Sequence, residues 1–322
     1  MNHNSMAIIV LCSHLCADDD VKPLEPAEWA KLADILRQKN MQPEDIMLMD
    51  SADLHKKFHV SKDNAERIIR LVERSASIAF EIERYRSKGI HIMTRADKHY
   101  PKTLKKKLGK SCPPLFYYVG NPAILDGKFV GIVGSRNVSE KDKDFTAKIV
   151  ASPCSKGFSV VSGGAKGVDI TAEASALSYG ANCVEYVSDS LLRKIRNKQV
   201  IDAVRSNRLL LMSAAKPDAG FSVGMAMMRN KYIYSQSEGT VVVKSDYNKG
   251  GTWIGATENM KNNWCRTLVW NNPEHRGNME LISRGATPID EFWSFELSTG
   301  EVKDKTQEEI LNLENCFYPS ME

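Results

Sequence analysis

No run in this 322-residue sequence approaches the ~20 consecutive apolar residues that a membrane-spanning helix requires, so no membrane partner is expected. The apolar stretch Met6–Leu11 is short, has no Lys or Arg before it, and is followed by Asp18-Asp19-Asp20. It reads as a first core helix, not as a secretory signal. No second ligand pair of zinc spacing follows Cys12-Ser13-His14-Leu15-Cys16, so these thiols read as buried and no metal site is expected. The seven cysteines are odd in number and scattered, which excludes a disulfide framework and points to a reducing, cytoplasmic setting. Two further absences concern chemistry. No GxGxxG fingerprint follows the strand-like run at 129–133, and nothing assembles a nucleophile, a base and an orienting acid. Neither a cofactor nor a catalytic residue is assigned.

Length and apolar content (42%) suit two domains with a substantial core. The net charge of +4 is small but unevenly spread. Nine acids against Lys303 and Lys305 make 290–322 seven charges negative, so the remainder carries eleven positive. Two basic groups hold much of that excess: Arg95, Lys98, Lys102, Lys105, Lys106, Lys107 and Lys110, and then Arg193, Lys194, Arg196, Lys198, Arg205 and Arg208. Each alone is an ordinary solvated face. Two such runs flanking phosphate-type turns suggest a polyanion.

Residues 1–88 read as a small helical domain of the SAM or helix-hairpin-helix kind. Trp29, Leu32, Ile35 and Leu36 form one stripe, and one long last helix, capped by Ser61, is expected to run through Tyr85. Residues 89–127 read as a basic connector packed on the core, with Leu115–Val119 as an edge strand. From 128 to 293 the period changes. The short aliphatic runs 129–133, 158–161, 182–187, 208–212, 240–243 and 267–270, separated by helix-length segments, predict an α/β fold with a mainly parallel, Rossmann-like sheet. Residues 294–322 form an acidic tail.

Three glycine-bearing turns follow such strands. Gly134-Ser135-Arg136 and Ser162-Gly163-Gly164-Ala165-Lys166-Gly167 are each expected to open a helix, setting backbone amides and one cation at the same sheet edge. Lys249-Gly250-Gly251-Thr252 is a third socket of this kind, and Arg229-Asn230-Lys231 presents three polar side chains from a helix spanning 221–236. Asp169 is expected to cap local amides or to meet a ribose or base. Tyr232, Tyr247 and Trp253 are candidates for stacking on bases or for packing.

These motifs, in this order, resemble the DNA-processing protein A (DprA, or Smf) family, through Val130–Arg136, Ser162–Asp169, Arg229–Lys231, Gly250–Thr252 and Gly285-Ala286. The resemblance implies a non-catalytic single-stranded DNA-binding recombination mediator acting in natural transformation. It also implies a homodimer, a RecA-type recombinase as partner, and DNA contacts from Ser135, Arg136, Lys166, Arg229, Asn230 and Lys231. Glu173 stands where the family usually has His, 249–253 replaces a serine- and glycine-based turn, and the tail looks too short for a winged helix, which suggests a variant branch. The alternative class is a nucleotide sensor or a phosphoribosyl-cleaving enzyme on a related scaffold.

Overall fold

The computed structural model describes residues 2–16 and 21–294; the expected acidic tail lies outside the described residues save for Ser294. Five helices come first: α1 (His3–Cys12), α2 (Pro26–Gln38), α3 (Ser51–Phe58), α4 (Lys62–Glu73) and α5 (Ser75–Arg86). The long helix expected after Ser61 is broken at Arg74. That side chain turns inward, and its guanidinium donates to the Val10 and Ser13 carbonyls at the end of α1. Open carbonyls at a helix end need such donors, so α1 rather than local propensity sets the break.

A nine-stranded sheet follows: β1 (His91–Thr94), β2 (Leu115–Val119), β3 (Phe129–Val133), β4 (Ser159–Ser162), β5 (Cys183–Tyr186), β6 (Leu209–Ser213), β7 (Gly239–Val242), β8 (Arg266–Trp270) and β9 (Thr287–Ile289), in the order β1-β2-β6-β5-β4-β3-β7-β8-β9. From β6 to β9 every pairing is parallel, and β2 is antiparallel to both its neighbours. Residues 89–127 thus supply two strands of the sheet, and Leu115–Val119 is an interior strand; the edge belongs to β1.

The remaining helices are α6 (Lys102–Leu108), α7 (Glu140–Ser155), α8 (Val168–Ser178), α9 (Leu191–Lys194), α10 (Lys198–Arg205), α11 (Val223–Gln236), α12 (Gly250–Asn262) and α13 (Arg276–Ser283). Side chains alternate across the pleat, and the two faces bury separate cores. Tyr117, Val130, Ile132, Leu209 and Leu211 join the α1–α5 residues and Phe145 of α7 in one core. Phe116, Val133, Leu210 and Met212 join Leu104, Ile233 and Ala256 from α6, α11 and α12 in the other. The five N-terminal helices therefore share the sheet's own core.

Candidate functional site

The chain leaves β3 towards β4, β5 and β6, then returns by α11 to place β7 on the other side of β3. Loops after β3 and β7 part to opposite faces at this point, which opens a crevice beyond the carboxyl ends of the strands. The Ser135 amide donates to the Lys244 carbonyl at 2.9 Å, tying the two loops at its floor. A cavity of about 550 Å³ occupies the crevice, lined by all three glycine turns' neighbourhoods: Gly134–Arg136, Ala165 and Asp169, and Lys249–Thr252. A second cavity of about 510 Å³ adjoins it across Arg136, Ala165, Phe221 and Arg229, and reaches Lys166, Arg193 and Lys194.

The three turns do different things. The first does not open a helix directly: α7 starts only at Glu140, and its end is closed by Ser139 and Asp142 in a reciprocal capping box. Gly134 instead lets Val168 of α8 pack against the strand end, and the Ser135 carbonyl receives the Val168 amide. Arg136 stays exposed, its guanidinium 5.7 Å from the centre of the Phe221 ring. In the third turn Lys249 is extended, no side chain caps α12, and the first residues of that 13-residue helix line the cavity. This is the open helix start of the crevice. The Asn230 amide fastens it by donating to the Gly251 carbonyl at 3.0 Å.

The second turn is built around buried charge. A side chain on Gly163 would collide with the Arg229 guanidinium, and one on Gly164 with the Glu185 carboxylate. Arg229, with 10% of its side chain exposed, meets Asp169 at 3.3 Å, and Asp169 also accepts the Ala165 amide. Burial pushes the Asp169 carboxyl above its ordinary value against the pull of Arg229. Lys194 bridges Glu185 at 2.8 Å and the Gly164 carbonyl at 3.1 Å. Burial first, and the Glu185 carboxylate next, push Glu173 up to about 8. The protonated form of Glu173 is thus favoured beside the Glu185 carboxylate.

Several expected residues lie elsewhere. Ser162 is buried, its hydroxyl donating to the Ile132 carbonyl at 2.7 Å. Gly167, at φ 84°, seats α8 against the Ser135 carbonyl. Lys231 points to α12 and pairs with Glu258 at 2.9 Å. No residue of the 95–110 basic run lines either cavity. Lys107 donates to the Ser237 carbonyl just before β7, at the opposite end of the sheet, while Lys105 and Lys110 border a hollow against α2. The second basic group, through Arg193 and Lys194, is the one that reaches the crevice. Tyr232 and Trp253 are buried, and Tyr247 packs edge-on to Trp253 with Arg276 over its ring. Sequence reasoning put Phe221 in the helix. The helix starts at Val223 behind the Ser222 cap, leaving Phe221 in the loop, 54% exposed on both cavities; the serine two residues after Gly220 was the available signal.

A family model described as DNA recombination-mediator protein A matches residues 91–295, well over half of the chain. The DNA processing protein DprA of Bacillus subtilis is 28% identical over 217 residues, 66% of this chain and 71% of that protein. The DprA structure from Streptococcus pneumoniae superposes with a TM-score of 0.69 at 19% identity, covering 90% of this chain and 95% of that one. That from Helicobacter pylori, described for its single-stranded DNA binding mode, gives 0.53 at 24% identity over 71% of this chain and 97% of that one. The fold is common to all three chains.

Proposed function

The chain belongs to the DNA recombination-mediator protein A family, and from that membership and the paired cavities we propose that it binds single-stranded DNA by its phosphates. On this reading it works in the cytoplasm as a homodimer, presenting the strand to a RecA-type recombinase in recombination or transformation. One observation carries the proposal. Arg136, Lys166 and Lys249 are exposed, form no ion pair among the described residues, and stand along two adjoining cavities beside the uncapped start of α12. Unneutralised cations and open amides spread over two cavities suit a chain of phosphates better than one.

The reading assigns binding and no bond-making step. Of the acids at the site, Asp169 pairs with Arg229, Glu185 with Lys194 and Asp189 with Arg193, while Asp246 stands exposed on the first cavity. The membership and the described fold say nothing of a membrane; no described helix is long and apolar enough to cross one.

A salt titration of binding to an unstructured oligonucleotide, run beside a panel of free nucleotides, tests the proposal. Affinity for the oligonucleotide is expected to fall steeply with salt, and to weaken in Arg136→Ala and Lys166→Ala. Tight, salt-independent binding of one mononucleotide, for which a cavity of about 550 Å³ has room, would replace this reading with that of a nucleotide sensor or a phosphoribosyl-cleaving enzyme.

A further inference from the structure

The two edges of the sheet are finished differently. The middle residue of β9 is Pro288, which has no amide to offer a further strand. β1 carries no such block. Its register sets Ile92 opposite Tyr117 and Thr94 opposite Leu115, and the Arg95 amide continues the ladder by donating to the Pro114 carbonyl at 3.0 Å. In an antiparallel pair, residues that exchange hydrogen bonds with the neighbour alternate with residues that face away from it. His91 and Met93, in phase with Arg95, therefore turn their backbone groups to β2, and Ile92 and Thr94 turn theirs outward. Asp97 satisfies Thr94: its carboxylate accepts the Thr94 amide at 2.7 Å, and its own amide donates to the Thr94 carbonyl at 3.0 Å. The outward amide and carbonyl of Ile92 have no partner among the described residues, although Ile92 is only 9% exposed. Backbone groups taken out of water are nearly always paired, so this residue awaits a partner.

A cavity of about 520 Å³ lies in front of it, lined by the consecutive residues His91, Ile92 and Met93. Ile92 belongs to one core and Met93 to the other, so a cavity that touches both runs along the outer edge of the strand. On the Ile92 face it is apolar, lined by Met6 of α1 and by Ala79 and Ile82 of α5. Lys98 and His99 wall it on another side and also border a hollow of about 510 Å³ that carries Lys102 and Lys128. These three lysines are exposed and form no ion pair among the described residues. The acids nearby are taken: Glu83 pairs with Arg86, Asp126 with His99, and Asp97 holds Thr94 and Ser5, which leaves Glu238 to face the lysines.

An open donor and acceptor on one strand residue match the backbone of an extended peptide, and the walls select its side chains. We propose that the β1 edge is a docking site for an extended segment of a partner protein in which acidic residues alternate with apolar ones. The segment adds as a short antiparallel strand, one residue exchanging both hydrogen bonds with Ile92. That residue shares the Ile92 face and is apolar, against Met6, Ala79 and Ile82. Its neighbours turn to the other face and are acidic, towards Lys98 and then Lys102 and Lys128. The proposal stands apart from the phosphate reading, since this edge lies four strands away from β3.

The test is fluorescence anisotropy on the full chain with a labelled octapeptide of alternating valine and glutamate, the same peptide N-methylated at its valines, and a valine-lysine counterpart. The glutamate peptide is expected to bind more tightly than the lysine one. N-methylation should weaken it by about 2- to 12-fold, the range for one lost hydrogen bond. Ala79 is exposed, so Ala79→Trp should fill the apolar side and abolish binding without altering unfolding. Lys98→Glu should weaken the glutamate peptide by up to about fivefold, as for an exposed ion pair, and favour the lysine one. No binding, equal binding of the N-methylated peptide, or binding indifferent to Ala79→Trp overturns the proposal. Displacement by oligothymidylate, or loss of peptide binding in Arg136→Ala, assigns the peptide to the nucleic-acid site and overturns it too. A dimer that Ala79→Trp splits gives the edge to a second copy, and displacement by a lower concentration of a synthetic peptide of residues 295–322 gives it to the chain itself; either overturns a separate partner. Each of these results leaves the phosphate reading to stand or fall on oligonucleotide binding by Arg136→Ala and Lys166→Ala.

Discussion

The second and third glycine turns look alike in sequence and are opposites in construction. At Gly250-Gly251 the glycines lie at the start of a helix that no side chain caps, and a Cβ on Gly251 would meet only the tip of Asn230 at 3.4 Å. At Gly163-Gly164 the missing side chains are replaced by others: the Arg229 guanidinium and the Glu185 carboxylate occupy the space. One turn leaves backbone open to a ligand, and the other houses two ion pairs that shape the wall behind it. Glycine density alone does not say which.

The sharpest way to break this contrast is to add one methyl group to each. Gly163→Ala forces the Arg229 guanidinium from its seat and leaves Asp169, only 5% exposed, without its cation. Stability is expected to drop by about 3–5 kcal/mol in urea unfolding, as for other broken buried pairs. Gly251→Ala should change it by less than about 1 kcal/mol, because an amide tip can shift. Equal losses at the two sites would erase the distinction.

Binding should sort the residues differently from stability. Arg136 and Lys166 are exposed and unpaired among the described residues, so Arg136→Ala and Lys166→Ala should leave unfolding within about 0.5 kcal/mol of wild type. Each should weaken oligonucleotide binding by about 1–2 kcal/mol and flatten the salt slope by roughly 0.7 per lost phosphate contact. A change in melting with no change in slope would move these cations from the track to the scaffold.

The ionic wall also has a pH signature. With Glu173 at about 8 in the folded chain, against 4.5 as its ordinary value, the folded state keeps a proton that the unfolded state has already lost. Its contribution is present below about pH 4.5 and disappears as pH rises through about 8. Stability is therefore expected to fall across that window, and Glu173→Gln should flatten the fall. Parallel wild-type and variant curves would mean that Glu173 ionises without cost.

How much of this was legible follows from where each signal resides. β3 to β8 were visible because strands buried on both faces read as short aliphatic runs, and Phe129–Val133 coincides with β3. β1 and β9 are only four and three residues long, and the latter contains Pro288 at the sheet's edge, so neither makes a periodic pattern. The break at Arg74 is dictated by carbonyls more than sixty residues earlier. At the site, the glycines were seen but the groups filling them were not, since Arg229 and Asp169 meet across sixty residues. Arg229-Asn230-Lys231 was read as one unit, yet consecutive residues on a helix point about 100° apart. Arg229 goes to the wall, Asn230 to the third turn and Lys231 to Glu258.

The smallest expected effect is also the most discriminating for the two basic runs. Composition made Lys102–Lys110 the natural extension of the phosphate track, because five lysines fall within nine residues. The fold places Lys107 against the Ser237 carbonyl at the far end of the sheet, and Lys102, Lys105, Lys106 and Lys110 on exposed positions that line neither cavity. Charges separated by more than a Debye length, about 8 Å at physiological ionic strength, are largely screened from each other's ligands. Changing these four exposed lysines to alanine together should therefore leave oligonucleotide affinity within about twofold and the salt slope unaltered, whereas Arg193→Ala, on the rim of the second cavity, should reduce both. A quadruple variant that loses affinity and slope together would show that the strand wraps beyond the crevice, and that the charge of the sequence, more than the pockets of the fold, sets its path.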